Sequence, residues 1–141
     1  MTRFLLLLIA AALLVTAATA GAASKSSLTV RSSAYGKILF AGTGRALYAF
    51  TKDPRGHSAC AGACAKVWPP YVVTSRPKAA AGVKASLLGT TRRADGRTQV
   101  TYNGRPLYSY VGDPVGKVRC QNVSEFGGLW LVMRANGRLV R

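Results

Sequence analysis

Short apolar runs separated by glycine-containing turns dominate the pattern of the chain and predict β-hairpins. Four turns stand between such runs: Gly42-Thr43-Gly44 (37–41 to 45–51), Asp95-Gly96 (86–93 to 98–102), Asn103-Gly104 (98–102 to 105–111) and Asn136-Gly137 (128–134 to 138–140). Asn-Gly and Asp-Gly suit tight hairpin turns. Helical signal is confined to residues 60–67, where Trp68-Pro69-Pro70 should end a helix. The predicted fold class is mainly β: a small duplicated antiparallel hairpin or meander domain, barrel-like or two-layered, with at most one short helix.

One motif occurs twice, sixty positions apart. Residues 44–56 and 104–116 share the pattern Gly-Arg-x-Leu-Tyr-x-(Phe/Tyr)-x-x-Asp-Pro-x-Gly. The same offset extends without a gap to Cys60 and Cys120, and a tryptophan follows late in each half. The sequence therefore predicts two copies of one supersecondary unit.

The amino terminus has the layout of a secretory signal, with Arg3, an apolar run over residues 4–15 and small residues up to Ala23. The run is shorter than the roughly 20 residues that a membrane-spanning helix needs. No cysteine precedes Cys60, so none follows the apolar run to receive a lipid. We predict that residues 1–23 are cleaved. The mature protein should then be secreted, extracellular or on the periplasmic side of the envelope, with neither a transmembrane nor a lipid anchor.

The remainder of the chain has the length of one small domain. We predict a loose leader at residues 24–33 and a single domain over 34–141. That domain should contain two repeats, at about 35–73 and 86–140, joined by a connector at 74–84 that contains proline, glycine and several alanines.

The charge of the chain is strongly unbalanced. Twenty Lys and Arg residues face four Asp and Glu residues, for a net charge of +16, and loss of Arg3 with the signal lowers it to +15. Outside the cytoplasm such a field favours anionic partners, here wall polymers or anionic lipid surfaces. The alternative is that the charge only keeps a small secreted domain soluble. No oligonucleotide-binding signature accompanies the basic residues, so specific recognition of nucleic acid is not predicted.

The repeated strand places two aromatic rings on one face. Residues two apart in a strand share a face, so Tyr48 lies beside Phe50 and Tyr108 beside Tyr110, with the preceding leucine on the other side. One of the two faces must belong to the core. The late tryptophans of the two halves, Trp68 and Trp130, are predicted to pack in that core as well.

An aspartate precedes a proline at the end of each repeated strand. Asp53 and Asp113 account for half of the four acidic residues. A carboxylate at this position can bond backbone donors of its own turn, which favours a structural role. The alternative is that two equivalent aromatic and acidic corners form a ligand cleft.

These residues resemble a known family. Tyr-x-(Phe/Trp/Tyr)-x-x-Asp occurs at 48–53 and 108–113, together with Ser-Ala-Cys-Ala-Gly-Ala-Cys-Ala-Lys-Val-Trp-Pro-Pro at 58–70 and Phe-Gly-Gly-Leu-Trp at 126–130. The set resembles the secreted-repeat or predicted-lipoprotein family that is known by this tyrosine-to-aspartate motif. The resemblance covers about residues 35–135. It implies tandem repeats in envelope-associated bacterial proteins without an established activity, whereas the missing lipid-attachment cysteine sets this chain apart from the lipoprotein members.

Three cysteines are present, and in an oxidising compartment two of them should form a disulfide. Cys60 and Cys64 are close enough in one loop to join, and this pair is favoured. Cys60 with Cys120 is the competitor, because the repeat places them at equivalent points.

A second hypothesis combines these cysteines with His57. Thiolates and imidazole bind Cu(I) or Zn(II), so His57, Cys60, Cys64 and Cys120 are candidate ligands of an envelope metal site. The Cys60–Cys64 loop could instead serve a thiol-redox protein. The spacing matches neither a Cys-x-x-Cys finger nor a haem-attachment motif, and no cofactor is predicted as the primary interpretation.

One histidine and four acids offer little material for acid-base catalysis, and no Gly-x-Ser-x-Gly surrounds Ser58. We therefore predict a secreted, non-catalytic binding or structural module of the cell envelope.

Overall fold

The computed structural model describes residues 25–141, so the predicted signal peptide lies outside the described residues. These residues form nine strands and one α-helix, with a 3-10 turn at Ala85–Leu87. The elements are β1 (Ser27–Ser33), β2 (Gly36–Ala41), β3 (Tyr48–Phe50), α1 (Ala63–Val67), β4 (Lys78–Ala79), β5 (Leu88–Arg92), β6 (Thr98–Tyr102), β7 (Arg105–Pro106), β8 (Val123–Glu125) and β9 (Gly128–Val132).

The strands form three small sheets, in the orders β2-β1-β4, β3-β9-β8 and β5-β6-β7. Neighbouring strands are antiparallel except for β1 and β4, which are parallel. The mainly β prediction with one short helix is confirmed. The described residues form no closed barrel, because the sheets meet through isolated bridges and not through continuous ladders.

The predicted hairpins at Asp95-Gly96 and Asn103-Gly104 are present as β5-β6 and β6-β7. At Asn136-Gly137 the Arg134 N–H donates to Arg138 O at 2.9 Å, and Met133 bridges Leu139, so the turn forms although residues 138–140 are not a strand. At Gly42-Thr43-Gly44, Leu47 N–H donates to Leu39 O at 3.1 Å. The second arms of both motif hairpins are shorter than predicted, because they leave their own repeat to pair with the other one.

The prediction of a loose leader at residues 24–33 is wrong for its larger part, because Ser27–Ser33 is the strand β1. The β1 ladder pairs Leu28 with Ala41 and Val30 with Leu39, and Leu28 is fully buried. Alternation of Leu28 and Val30 with polar residues is a strand signal of its own. The structure also differs from the predicted connector at residues 74–84, because this segment contains the strand β4, in which Lys78 pairs with β1.

The two repeats cross over each other. In β3 of the first repeat, Phe50 lies opposite Trp130 in β9 of the second repeat. In the second repeat, Tyr108 bridges Pro70 of the first, and Val111 N–H donates to Val67 O at 3.1 Å. Each tyrosine-bearing strand therefore pairs with the tryptophan-bearing segment of the other repeat, so neither repeat has a complete set of strand partners alone.

Both faces of the repeated strand are buried. Tyr48 and Phe50 belong to one core cluster, together with both tryptophans. Leu47 and Ala49 point into a second cluster that also contains Leu107. The predicted separation of aromatic and leucine faces is confirmed, and the strand lies between two cores rather than between a core and solvent.

Candidate functional site

Two tyrosine–aspartate hydrogen bonds connect the repeats in opposite directions. The Tyr48 hydroxyl donates to Asp113 Oδ2 at 2.6 Å. The Tyr108 hydroxyl donates to Asp53 Oδ2 at 2.7 Å. These two tyrosines and two aspartates of the repeat motif therefore form two crossed pairs. Each pair joins the tyrosine of one repeat to the aspartate of the other.

The second oxygen of each carboxylate closes its own turn. Asp53 Oδ1 accepts from the Ala59 N–H at 2.7 Å, and Asp113 Oδ1 accepts from the Arg119 N–H at 2.9 Å. Asp53 is 9% exposed and Asp113 is 3% exposed. The turn bonds fit the structural interpretation of the Asp-Pro corners. Because both oxygens are occupied and buried, the contacts do not support an open ligand cleft at these carboxylates.

A local two-fold axis runs between the pairs. Tyr48 and Tyr108 exchange backbone hydrogen bonds of 2.8 and 2.9 Å, so the motif tyrosine meets its own counterpart. Gly56 N–H donates to Gly104 O and Gly116 N–H donates to Gly44 O, both at 2.8 Å. Every one of these contacts maps onto its partner under the sixty-residue offset.

Four aromatic rings, three of them stacked, form a column across the same axis. The two indoles are stacked at 4.0 Å with an interplanar angle of 3°. Phe50 stacks on Trp130 at 4.1 Å, and Tyr110 lies against Trp68 at 4.9 Å. Both indole N–H groups donate to Glu125, from Trp68 to Oε2 at 2.8 Å and from Trp130 to the backbone oxygen at 3.2 Å. The predicted packing of both tryptophans in the core is confirmed, since each is 0% exposed.

The electrostatic environment keeps the Tyr48 and Tyr108 hydroxyls protonated, so they act as hydrogen-bond donors. Burial raises the pKa of the Tyr48 hydroxyl far above its ordinary value, and the adjacent Asp113 raises it further. Burial likewise raises the pKa of Tyr108. Burial also raises the pKa of Asp53, although the Ala59 N–H and the Tyr108 hydroxyl oppose the change. The pairs are therefore suited to holding the repeats together, and the hydroxyls are poorly suited to acting as bases.

Arg93 is a buried charge beside one of the pairs, and sequence reasoning did not identify it. Its guanidinium donates to Ser58 Oγ at 2.8 Å, Gln99 Oε1 at 2.7 Å and Cys60 O at 2.7 Å. Arg93 Nε lies 3.6 Å from Asp95 Oδ2 and makes no hydrogen bond within the described part of the chain. In a chain with 20 Lys and Arg residues, no sequence signal distinguishes this arginine from the exposed ones.

The predicted disulfide is confirmed. Cys60 and Cys64 are joined with an S–S distance of 1.98 Å and a Cα–Cα distance of 5.3 Å, and Cys120 is free. The competing Cys60–Cys120 bridge is therefore not formed. Cys120 is half-buried, and burial raises the pKa of its thiol.

The candidate metal ligands are not assembled as a site. His57 is exposed, and the sulfurs of Cys60 and Cys64 are bonded to each other. Within residues 25–141 no group of three His, Cys, Asp or Glu side chains could hold a metal ion. The disulfide form therefore offers no thiolate pair to Cu(I) or Zn(II).

The exterior is cationic because acids and bases are distributed differently. Of the Lys and Arg residues after Arg3, sixteen are exposed, Arg45 and Arg105 are half-buried, and Arg93 is buried. Each of the four acids has a partner within residues 25–141: two buried aspartates accept from tyrosines, Glu125 accepts from a tryptophan, and the exposed Asp95 pairs with Arg97 at 2.8 Å. The hydrogen bond from Arg97 lowers the pKa of Asp95 to about 2. Few acidic groups therefore offset the positive field around the molecule.

A family model described as a secreted repeat of unknown function matches the chain twice, at residues 29–71 and 89–134. The matches begin sixty positions apart, at the same offset as the crossed pairs. No curated protein and no solved structure matches the chain. No helix in residues 25–141 is long and apolar enough to cross a membrane.

Proposed function

The chain belongs to this family of secreted repeats of unknown function, and we propose from that premise that it is a non-catalytic module that binds phosphate-bearing anionic components of the cell envelope. The observation that carries the proposal is the contrast between sixteen exposed basic side chains and four acids, of which only Asp95 is exposed. A field of one sign attracts polyanions from a distance and raises their local concentration.

The fold supports this use of the charge. The crossed tyrosine–aspartate pairs and the aromatic column fix the two repeats to each other, so the exposed cations stand on a framework with a packed interior. Basic residues occur on both repeats, from Lys37 and Lys52 in the first to Lys117 and Arg138 in the second, and all four are exposed. An extended polymer could therefore contact several cations at once, which multiplies weak contacts into useful affinity.

Two sources could supply the phosphate groups, a wall polymer or a lipid surface. The test uses the mature chain, residues 24–141, with two probes: poly(glycerol phosphate), and vesicles of phosphatidylglycerol compared with phosphatidylcholine. We expect binding to the anionic probes in 20 mM NaCl that weakens about tenfold or more in 500 mM NaCl, because salt screens exposed charges. Preference for the polymer or for the anionic vesicle identifies the source.

A charge-lowered variant and a matched control make the test specific. In the first, four exposed lysines become glutamine, and in the second the same lysines become arginine: Lys37, Lys52, Lys66 and Lys117. The glutamine variant should bind more weakly at low salt, whereas the arginine variant should bind as the wild type does. Binding to both probes no better than a neutral domain of the same size would leave the charge with a role in solubility alone and overturn the proposal.

A further inference from the structure

The outer edge of β5 carries unpaired backbone groups. Val100, opposite Thr90, donates its N–H to Tyr71 O at 2.8 Å and accepts at its carbonyl from the Leu107 N–H at 3.0 Å. Both groups of Val100 therefore point away from β5, so Thr90 belongs to a non-hydrogen-bonded pair and its own N–H and C=O face outward. Within residues 25–141 these two groups have no hydrogen-bond partner.

The first repeat shows how the equivalent edge is covered. At the sixty-residue offset β1 corresponds to β5, and the outer edge of β1 is paired with the short parallel strand β4. There the Lys78 N–H donates to Ser26 O at 3.0 Å, and the Ala80 N–H donates to Leu28 O at 2.8 Å. In the described residues of the second repeat no strand takes this place beside β5. One of two related edges is thus closed by an extended segment, and the other is open.

The open edge lines a groove. A cavity of about 350 Å³ lies between Ala79 of β4 and Leu88 and Thr90 of β5. A second cavity of about 630 Å³ shares Arg76 and Thr90 with it. We call this space the β5 groove. Because Lys78 and Ala80 direct their N–H groups to β1, the backbone of Ala79 between them faces the groove, which therefore has a strand edge on each side.

The charge around the β5 groove selects the occupant. Arg76 lines both cavities, and Lys78, Lys84 and Arg92 are exposed on the flanking segments. Among residues 25–141, no acidic side chain lines either cavity. Gly89 lines the first cavity and has no side chain to obstruct an approaching backbone.

We propose that the β5 groove binds an acidic peptide segment in extended conformation, which pairs with the outer edge of β5 as β4 pairs with β1. Main-chain hydrogen bonds would provide affinity, as in other cases of strand addition, and the basic rim would select peptides with Asp and Glu. A second copy of this chain is the poorer occupant, because pairing two β5 edges would bring together two molecules that each carry a charge of about +15.

The first test uses synthetic peptides with the mature chain. The probe is an acetylated heptapeptide of alternating Glu and Val, and its control has the same sequence with N-methyl groups at alternate residues. N-methylation removes backbone donors while the charge stays the same, so we expect it to weaken binding about tenfold or more. Bound peptide should also slow hydrogen exchange of the Thr90 N–H.

The second test uses variants of the protein. Thr90→Pro removes one outward donor and leaves the β5-β6 ladder bonds in place, as edge strands tolerate proline there, and it should weaken peptide binding about tenfold. Arg76→Glu should weaken it as well. The matched control is Lys52→Glu, which makes the same charge change at an exposed residue beside Gly127, away from the β5 groove, and should leave peptide binding unchanged.

The outcomes separate this inference from the proposed function. Polymer binding should respond similarly to Arg76→Glu and Lys52→Glu, whereas peptide binding should respond only to the first. Equal binding of the plain and N-methylated peptides, or no peptide binding at millimolar concentration, would overturn strand addition and leave the polymer proposal intact. Dimers in sedimentation equilibrium that Thr90→Pro abolishes would make a second copy the occupant and would also overturn it.

Discussion

The two repeats bring a tryptophan to the same place by different routes. Between Asp53 and Trp68, the first repeat uses a disulfide and the helix α1. Between Asp113 and Trp130, the second uses the hairpin β8-β9. Sixty positions after Cys64 stands Ser124, so the second repeat lacks the partner that its own cysteine would need. The indoles nevertheless stack at 4.0 Å.

The difference has a physical cause in the residues after the first tryptophan. Pro69 and Pro70 have no N–H, so this segment cannot form the regular ladder that β9 forms with β3. The short disulfide loop adds a constraint on the chain where the strand pairing is incomplete. In the second repeat, Phe126 and Gly127 adopt φ values of 54° and 84° and form the tight turn that pairs β8 with β9. Both repeats thus place an indole at an equivalent position in the core, although the chain segments that lead to the two indoles differ.

Truncation of either tryptophan should produce the largest effect. Trp68→Ala and Trp130→Ala each remove a fully buried ring from the column and should lower the free energy of unfolding by about 3–5 kcal/mol. Urea denaturation measures both, with Val111→Ala, 51% exposed, as a control that should change little. A much smaller loss for one tryptophan would contradict the equivalence of the two indoles.

Removal of one tyrosine hydroxyl should come next. Tyr48→Phe leaves Asp113 without its side-chain donor, and Tyr108→Phe does the same to Asp53, so each should cost about 3 kcal/mol. Tyr35→Phe is the control, because its hydroxyl has no hydrogen-bond partner among residues 25–141. Losses no larger than that of the control would show that the crossed pairs do not hold the repeats together.

Opening the disulfide should have a smaller effect than either of these changes. The double substitution Cys60→Ser and Cys64→Ser should cost about 2 kcal/mol, because the closed loop is short. Cys120→Ser should cost well under half of that, since this cysteine is not bonded to another. Thermal unfolding under non-reducing conditions provides the comparison. If the two losses were equal, the disulfide would not compensate for the incomplete strand pairing.

The pH dependence of Asp53 should give the smallest effect. Its pKa is raised by burial, so the folded state binds its proton more readily than the unfolded chain does. The resulting stability is fully present below the ordinary Asp pKa of 3.8 and is lost as the pH rises through the raised folded-state value. Lowering the pH from 7 to 4 should therefore shift the urea midpoint of the wild type upward relative to that of Asp53→Asn. A constant difference between the two proteins would refute the raised pKa.

Local signals in the sequence account for much of the fold. Asp95-Gly96 and Asn103-Gly104 predicted hairpins because few residues adopt the backbone angles of these turns. The Cys60–Cys64 bridge followed from proximity. The strand β8 was missed, because its turn at Phe126-Gly127 is not one of the common hairpin dipeptides. The prediction of a loose leader at residues 24–33 overlooks the alternation of Leu28 and Val30 with polar residues, which marks β1.

The crossed pairs could not be predicted from the sequence. The periodic repeat showed that Tyr48 and Tyr108 are equivalent, but it did not show that each bonds the aspartate of the other repeat. That assignment depends on contacts between residues more than fifty positions apart, which local propensity does not encode. Arg93 was missed for a different reason, since its burial depends on three acceptors from two separate segments, the loop at residues 58–60 and the strand β6.

The contact between Tyr48 and Tyr108 has a consequence for stoichiometry. A residue that hydrogen-bonds to the equivalent residue of the other repeat forms an isologous contact. Contacts of this kind join the two subunits of a symmetric dimer. Two identical subunits would necessarily display every surface feature in duplicate. Within one chain the copies can differ, and residues 25–141 contain one disulfide, one free thiol and the β5 groove, which the first repeat lacks because β4 covers the equivalent edge. A partner that recognises any one of these single features would bind a monomer of this chain once, so each of these features is univalent despite the internal symmetry.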